Sequence, residues 1–175
     1  MRSWLDKRFL IALAVVAACA SIPSGSPASS SPRSRVVYGY AYAKRCPGAG
    51  REERVDRWGM YMCNCTSYVA WALQVNNQRT DWFIAGSMDA WNWPNVARSS
   101  RLRVSQRPSV GAVAVWPELA RPFGHVAYVT HVDHDGRFDV SEYNFPFRNN
   151  SDRFRFDTRA HVSARGASFI EVPSR

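Results

Sequence analysis

The sequence predicts an α+β domain: a helix-bearing first half followed by an antiparallel sheet. Three observations carry this. After Asn64, apolar residues recur at helical spacing, with Tyr68, Ala72 and Val75 flanked by Val69 and Leu73. From Pro108 onward the pattern changes to short runs rich in β-branched and aromatic residues, broken by Gly and by an Asp-Gly turn signal. The two patterns are segregated along the chain and do not alternate, which favours α+β over a parallel βαβ arrangement. With 175 residues the chain is long enough for one domain with a sizeable core. It shows no internal repeat and no second domain.

The N-terminus is laid out as an export signal. Arg2, Lys7 and Arg8 form a positive stretch, and Phe9 to Ala18 form an apolar stretch too short to span a bilayer. Ala18-Cys19-Ala20 offers a small-x-small cleavage site, so residues 1–20 are expected to be a signal peptide. The same residues support a second reading. Val16-Ala17-Ala18-Cys19 resembles a lipobox, in which Cys19 would carry a lipid and become the mature N-terminus. Either cut places the mature protein outside the cytoplasm, with no transmembrane helix after processing. Residues 21–37 are dominated by Ser and Pro, cannot bury a core, and are expected to be a flexible linker to a folded domain over 38–175. The formal charge of +9 falls to +7 once Arg2, Lys7, Arg8 and Asp6 are lost. A basic surface favours polyanions, but export makes nucleic acid a poor partner. Anionic lipids and anionic polymers remain.

Residues 38–62 are aromatic and turn-rich and read as a loop leading into the helix. Asn64 is placed to cap that helix with its side-chain oxygen. The helix should end near Asn76-Asn77, because Asn tolerates the left-handed stop. Residues 81–96 hold Trp82, Trp91 and Trp93, expected mainly as core, with Ser87 capping a short helix that Pro94 stops. Residues 97–109 read as a polar, basic connection, with Arg98, Arg101, Arg103 and Arg107 on a solvated face. Strands are expected at Ala112–Trp116, Gly124–Val132 and Arg137–Phe145, and again at Arg153–Phe156 and Ala167–Val172.

Cys65 falls in the first turn of the helix, near the positive end of its dipole. That field favours thiolate, the nucleophilic form of cysteine. The same residue also reads as a small buried apolar side chain. With Cys19 assigned to the signal, Cys46, Cys63 and Cys65 remain, an odd number in an exported protein. The simplest pairing is Cys46 with Cys63, leaving Cys65 free. The alternative, Cys46 with Cys65, would consume the candidate nucleophile. Cys-x-Cys is not the usual zinc spacing and no His-x3–5-His partner accompanies it, so no metal is expected there.

Strand parity places the other candidates. His125, Ala127, Val129 and His131 share one face of their strand, and Val140, Glu142 and Asn144 one face of the next. A hairpin loop with an even number of residues, either Asp-Gly or 133–136, puts His125 on the same face as Glu142 and Asn144. An odd loop or a bulge would break this. The resulting set is one for nucleophilic catalysis. Cys65 attacks, His125 takes and returns a proton, and Glu142 orients the imidazole, with Asn144 as a second orienting group. The backbone N–H of Cys65 is placed to donate to an oxyanion.

Three segments, Asn64–Trp71, Gly111–Trp116 with Gly124–Val129, and Val140–Asn144, resemble the CHAP domains, the cysteine- and histidine-dependent amidohydrolases/peptidases of the papain-like NlpC/P60 superfamily. The resemblance covers roughly residues 38–172. It implies a papain-like fold, with the nucleophile at a helix N-terminus packed on a C-terminal antiparallel sheet. It also implies hydrolysis of peptidoglycan peptides, as amidase or endopeptidase. With the export signal this gives an enzyme secreted to the cell wall, expected to need no metal or organic cofactor and to be a monomer. Carried over by position, it supports Cys65, His125, Glu142 and Asn144 as catalytic residues. Trp116 and Asn64 are candidate substrate contacts. Anionic wall polymers would be secondary partners. Many members carry Gln before the cysteine, where this chain has Asn64. A non-catalytic wall-binding module of the same fold is the alternative.

Overall fold

The computed structural model describes residues 38–46, 54–83, 89–145 and 154–175. Residues 1–37, expected to be an export signal and a linker, and Ser87 lie outside the described residues. Helix α1 spans Cys65–Val75 and α2 spans Trp93–Ser99. The strands are β1 Arg103–Ser105, β2 Val113–Trp116, β3 His125–Val132, β4 Phe138–Tyr143, β5 Phe156–Val162 and β6 Ser168–Glu171. They form one antiparallel sheet in the order β1-β6-β2-β3-β4-β5.

Helix α1 begins where Asn64 turns to extended backbone and ends where Asn77 takes the left-handed conformation, φ +57°. Tyr68, Val69, Ala70, Ala72 and Leu73 are buried, while Val75 in the last turn is half exposed. The helix packs on β3 and β4. Its apolar face joins Val113, Val115, Val126, Tyr128 and Ile170 in one core. The opposite face of the sheet has its own core, built on Ala114, Ala127, Val129, Phe138, Val140 and Phe169. With both faces covered, β2 is buried at every position and reads as continuous apolar sequence.

Two expectations for the middle of the chain are corrected. Pro94 does not stop a helix; it stands in the first turn of α2, where its missing N–H has no partner to lose. The basic stretch 97–109 contains a strand as well as a connection. β1 pairs Arg103 with Glu171 and Ser105 with Phe169 at the sheet edge, where exposed basic side chains blur any alternation. Trp82 and Trp93 pack edge to face at 5.2 Å in the core, whereas Trp91 is 46% exposed.

The β3–β4 hairpin departs from the even loop in an instructive way. Val132 pairs with Phe138, and the Asp133 N–H donates to the Arg137 carbonyl at 2.7 Å, so the loop covers the odd stretch 133–137. Alone, that would reverse every face. A bulge between Val129 and His131 cancels it, and beyond the bulge Val129 faces Val140 and Tyr128 faces Ser141. Continued, this register sets His125 opposite Asn144. His131 therefore leaves the face of His125, and Val132 packs on the second core in its place.

Gly124, just before His125, is required by its surroundings. Its φ is +75°, and a Cβ there would lie 2.5 Å from the backbone nitrogen of Trp91. Gly136 has φ +82° but open space around it. Gly136→Ala should therefore cost about 1 kcal/mol, from backbone strain alone, and Gly124→Ala about 2 kcal/mol or more, because the Trp91 backbone must also move. Urea unfolding midpoints of the two variants test this. Equal shifts would mean that the close approach of Trp91 is not what demands glycine at 124.

Candidate active site

Cys65 is held by what surrounds the first turn of α1. The buried Asp56 carboxylate accepts from the backbone N–H groups of Trp58 at 2.8 Å and Met60 at 3.0 Å through one oxygen, and from the Ser67 hydroxyl through the other. The Ser67 and Tyr40 hydroxyls are hydrogen-bonded, and the Tyr40 oxygen accepts from the Cys63 N–H at 3.1 Å. Burial pushes Tyr40 up to about 12, so its hydroxyl stays neutral in this chain of bonds. Cys63 occupies the left-handed region at φ +67°, a backbone cost of order 1 kcal/mol that the network holds in place. Cys46 and Cys63 meet at disulfide distance, with Cα atoms 5.3 Å apart, and Cys65 is free and half-buried.

His125, first residue of β3, and Glu142 on β4 are 1% and 0% exposed. His125 Nε2 and Glu142 Oε2 are 2.8 Å apart. That bond leaves Nδ1 as the ring nitrogen open to the Cys65 thiol, which acts on the imidazole from nearby. The ring is edge-on to Phe145 at 5.3 Å and lies 6.2 Å from Trp116. Burial by itself would push His125 down. The negative charge of Cys65, its hydrogen bond and the Glu142 carboxylate outweigh that and raise it to about 9.

Glu142 has a second partner that sequence reasoning missed. Arg159 on β5 grips it with two bonds, one from Nε to Oε1 and one from Nη2 to Oε2 at 3.0 Å. The guanidinium lies over Phe145, 3.9 Å from its centroid, and over Trp116 at 5.2 Å. Burial pushes the Glu142 carboxyl up, but His125 and Arg159 together hold it below the usual carboxylate range. No sequence motif marks Arg159. It lies in a strand whose exposure pattern does not alternate cleanly, 17 residues beyond Glu142.

Three candidates take places other than those expected. Asn64 is the N-cap by position, but its side chain makes no cap bond; its Oδ1 accepts from Asn144 Nδ2. Asn144 does not touch His125 through any hydrogen bond of the described residues. Its Oδ1 accepts from the Phe154 N–H at 3.0 Å and its backbone N–H donates to Arg155 at 2.9 Å, so it ties β4 to β5 and to the residue before Cys65. Trp116 is only 8% exposed, stacked on Phe138 beneath Arg159, and backs the site without offering a face to a ligand.

A profile of the CHAP domain family matches residues 55–144, half of the chain, a span that holds Cys65, His125 and Glu142 but not Arg159. A Streptococcus mutans protein named as a hydrolase is 32% identical over 92 residues, covering 51% of this chain and 41% of its own. A secretory antigen of Staphylococcus aureus is 42% identical over 57 residues, 33% of this chain and 22% of the antigen. Among solved structures, an N-acetylmuramoyl-L-alanine amidase from Staphylococcus aureus superposes with a TM-score of 0.54 at 26% identity, over 71% of this chain and 35% of the amidase. The chain thus spans less than half the length of each of these relatives.

The coupled site makes two predictions. The His125 pKa is raised, so its stabilising contribution is complete below about 6.5 and lost as pH climbs toward about 9. In Cys65→Ala the His125 titration, followed by NMR, should move down toward its ordinary value; an unchanged midpoint would show that Cys65 does not govern it. Glu142 is the opposite case. Its pKa is depressed, so its contribution is present above the ordinary carboxylate range and lost as pH falls through the lowered value. Arg159→Met removes one cation from a buried carboxylate and should cost about 2–4 kcal/mol, with acid unfolding beginning at a higher pH. Unfolding midpoints measured across the acid range check both.

Proposed function

The chain belongs to the CHAP domain family, and on that premise we propose that it is an exported bacterial peptidoglycan hydrolase acting through a Cys65 thiolate and an acyl-thioester. The observation that carries the reading is the line Cys65–His125–Glu142, in which a free thiol at a helix N-terminus stands close enough to a buried imidazole to raise its pKa, and Nε2 of that ring is held by a buried carboxylate. In this reading the thiolate attacks an amide carbon of the peptidoglycan peptide. The backbone N–H of Cys65 donates to the oxyanion. His125, protonated, gives its proton to the departing amine, and the acyl group stays on sulfur. His125 then takes a proton from water, which attacks the thioester and releases the acid. Glu142 fixes the imidazole tautomer and stabilises its charged form, and Arg159 keeps Glu142 ionised. Asn144 and Asn64 hold the strand end against the first turn of α1.

The bond cut is the N-acetylmuramoyl-L-alanine amide, as in the name of the amidase neighbour, or a peptide bond of the stem or cross-bridge. Export rests on the layout of residues 1–20, with Cys19 lipidation as the variant, and accords with the secretory name of one relative. The net basic charge would hold the enzyme on anionic wall polymers in a salt-sensitive way.

The test is digestion of purified peptidoglycan by the chain and by Cys65→Ala, with mass spectrometry of the soluble fragments. New termini should appear with the unsubstituted chain and fall at least about a thousandfold in Cys65→Ala. If neither protein releases fragments while both sediment with the wall, the hydrolase reading fails and the wall-binding module stands. Added amine that appears in the products would mark acyl transfer instead of hydrolysis.

A further inference from the structure

Away from Cys65, two β-bulges flank a single residue of β4. The β3–β4 register slips between Val129 and His131, and the β4–β5 register slips between Phe138 and Val140. Both irregularities fall at the level of Asp139. A bulge re-aims a side chain from the face it would otherwise occupy. Here two bulges bring two imidazoles to one carboxylate. His161 Nδ1 lies 2.8 Å from one oxygen of Asp133, and His131 Nε2 lies 3.3 Å from the other. Donor atoms of Asp133, Asp139 and His161 all lie within 4.8 Å of one another. The His161 N–H donates to Asp139 at 2.9 Å, which fixes the backbone beneath its ring. Among the described residues no Lys or Arg is ion-paired with Asp133 or Asp139; Arg137, the nearest cation by sequence, pairs with Asp135 at 3.4 Å and donates to the His161 carbonyl at 3.2 Å.

We propose that Asp133, Asp139 and His161 form a site for a divalent transition ion of the zinc class that clips the β3–β4 hairpin to edge strand β5, with His131 beside it on Asp133. The chemistry of the donors selects the ion. Imidazole nitrogen with carboxylate oxygen is a borderline set suited to zinc and its neighbours, whereas calcium and magnesium favour all-oxygen shells. The side-chain bond now joining His161 Nδ1 to Asp133 is the contact such an ion would replace, and the ring would bind it as the tautomer with its proton on Nε2. The site is remote from the thiol chemistry in role. Its structural consequence falls on β5, the strand that carries Arg159 two residues before His161.

The experiment uses the full chain carrying Cys65→Ala, so that the thiol cannot take the metal, after removal of bound metal with EDTA. Zinc is titrated by calorimetry, and cobalt by its visible absorption, which reports tetrahedral nitrogen–oxygen coordination. One ion per chain is expected, together with a rise in Tm on adding zinc. His161→Ala and Asp133→Asn should each weaken binding by about tenfold or more and abolish the rise in Tm. Both histidine side chains are mostly exposed, so neither His161→Ala nor His131→Ala threatens the fold. No saturable binding in the Cys65→Ala chain overturns the proposal, as does binding that survives His161→Ala and Asp133→Asn unchanged. Neither readout depends on wall hydrolysis.

Discussion

The constraint on which the rest of the structure depends is the Glu142 carboxylate, which is wholly removed from water. A charge so placed is tolerable only with close partners of opposite sign. It finds two, and they come from the strands on either side, His125 from β3 and Arg159 from β5. β4 must therefore be an interior strand, and its register with both neighbours must be right at this level. The second core beneath Trp116 and Phe138 supplies the dry setting, and Phe145 and Trp116 confine the guanidinium. The same setting that makes an unpaired Glu142 costly makes the paired one a strong influence on the imidazole.

The helix end of the site is built by different means. Asp56 has no cation of its own among the described residues; it is satisfied by backbone N–H groups and the Ser67 hydroxyl. Through Ser67 and Tyr40 it reaches Cys63, two residues before the thiol. One half of the site thus rests on a carboxylate paired with cations and the other on a carboxylate held by hydrogen bonds alone. They meet where Asn64 and Asn144 join side chains.

Much of this was legible in the sequence. The segregated periodicities gave the α+β class, and the Asn64–Trp71, Gly124–Val129 and Val140–Asn144 segments located Cys65, His125 and Glu142. The less legible parts share a physical cause. Arg159 acts through a partner on another strand, and Asp56 through two backbone N–H groups and the Ser67 hydroxyl, contacts no residue pattern announces; in a basic, Ser-rich chain each reads as ordinary surface. Pro94 was ambiguous because proline both ends helices and begins them. Trp116 looked like a contact for a ligand because burial is a property of the assembled sheet and not of the residue. The role of Asn64 changed because a nearby side chain competed successfully for its oxygen.

The hairpin between β3 and β4 carries a wider consequence. Its odd loop and the bulge before His131 each shift the register, and only together do they preserve it. Loop length and bulge count are therefore one variable and not two. A single-residue deletion in 133–137 would be tolerated if a matching deletion straightened the strand near Thr130, and chains of this family could drift between the two solutions without passing the imidazole to the wrong side of the sheet. In an alignment such drift would show as paired gaps a few residues apart, a trace of geometry where the residues themselves are free to vary.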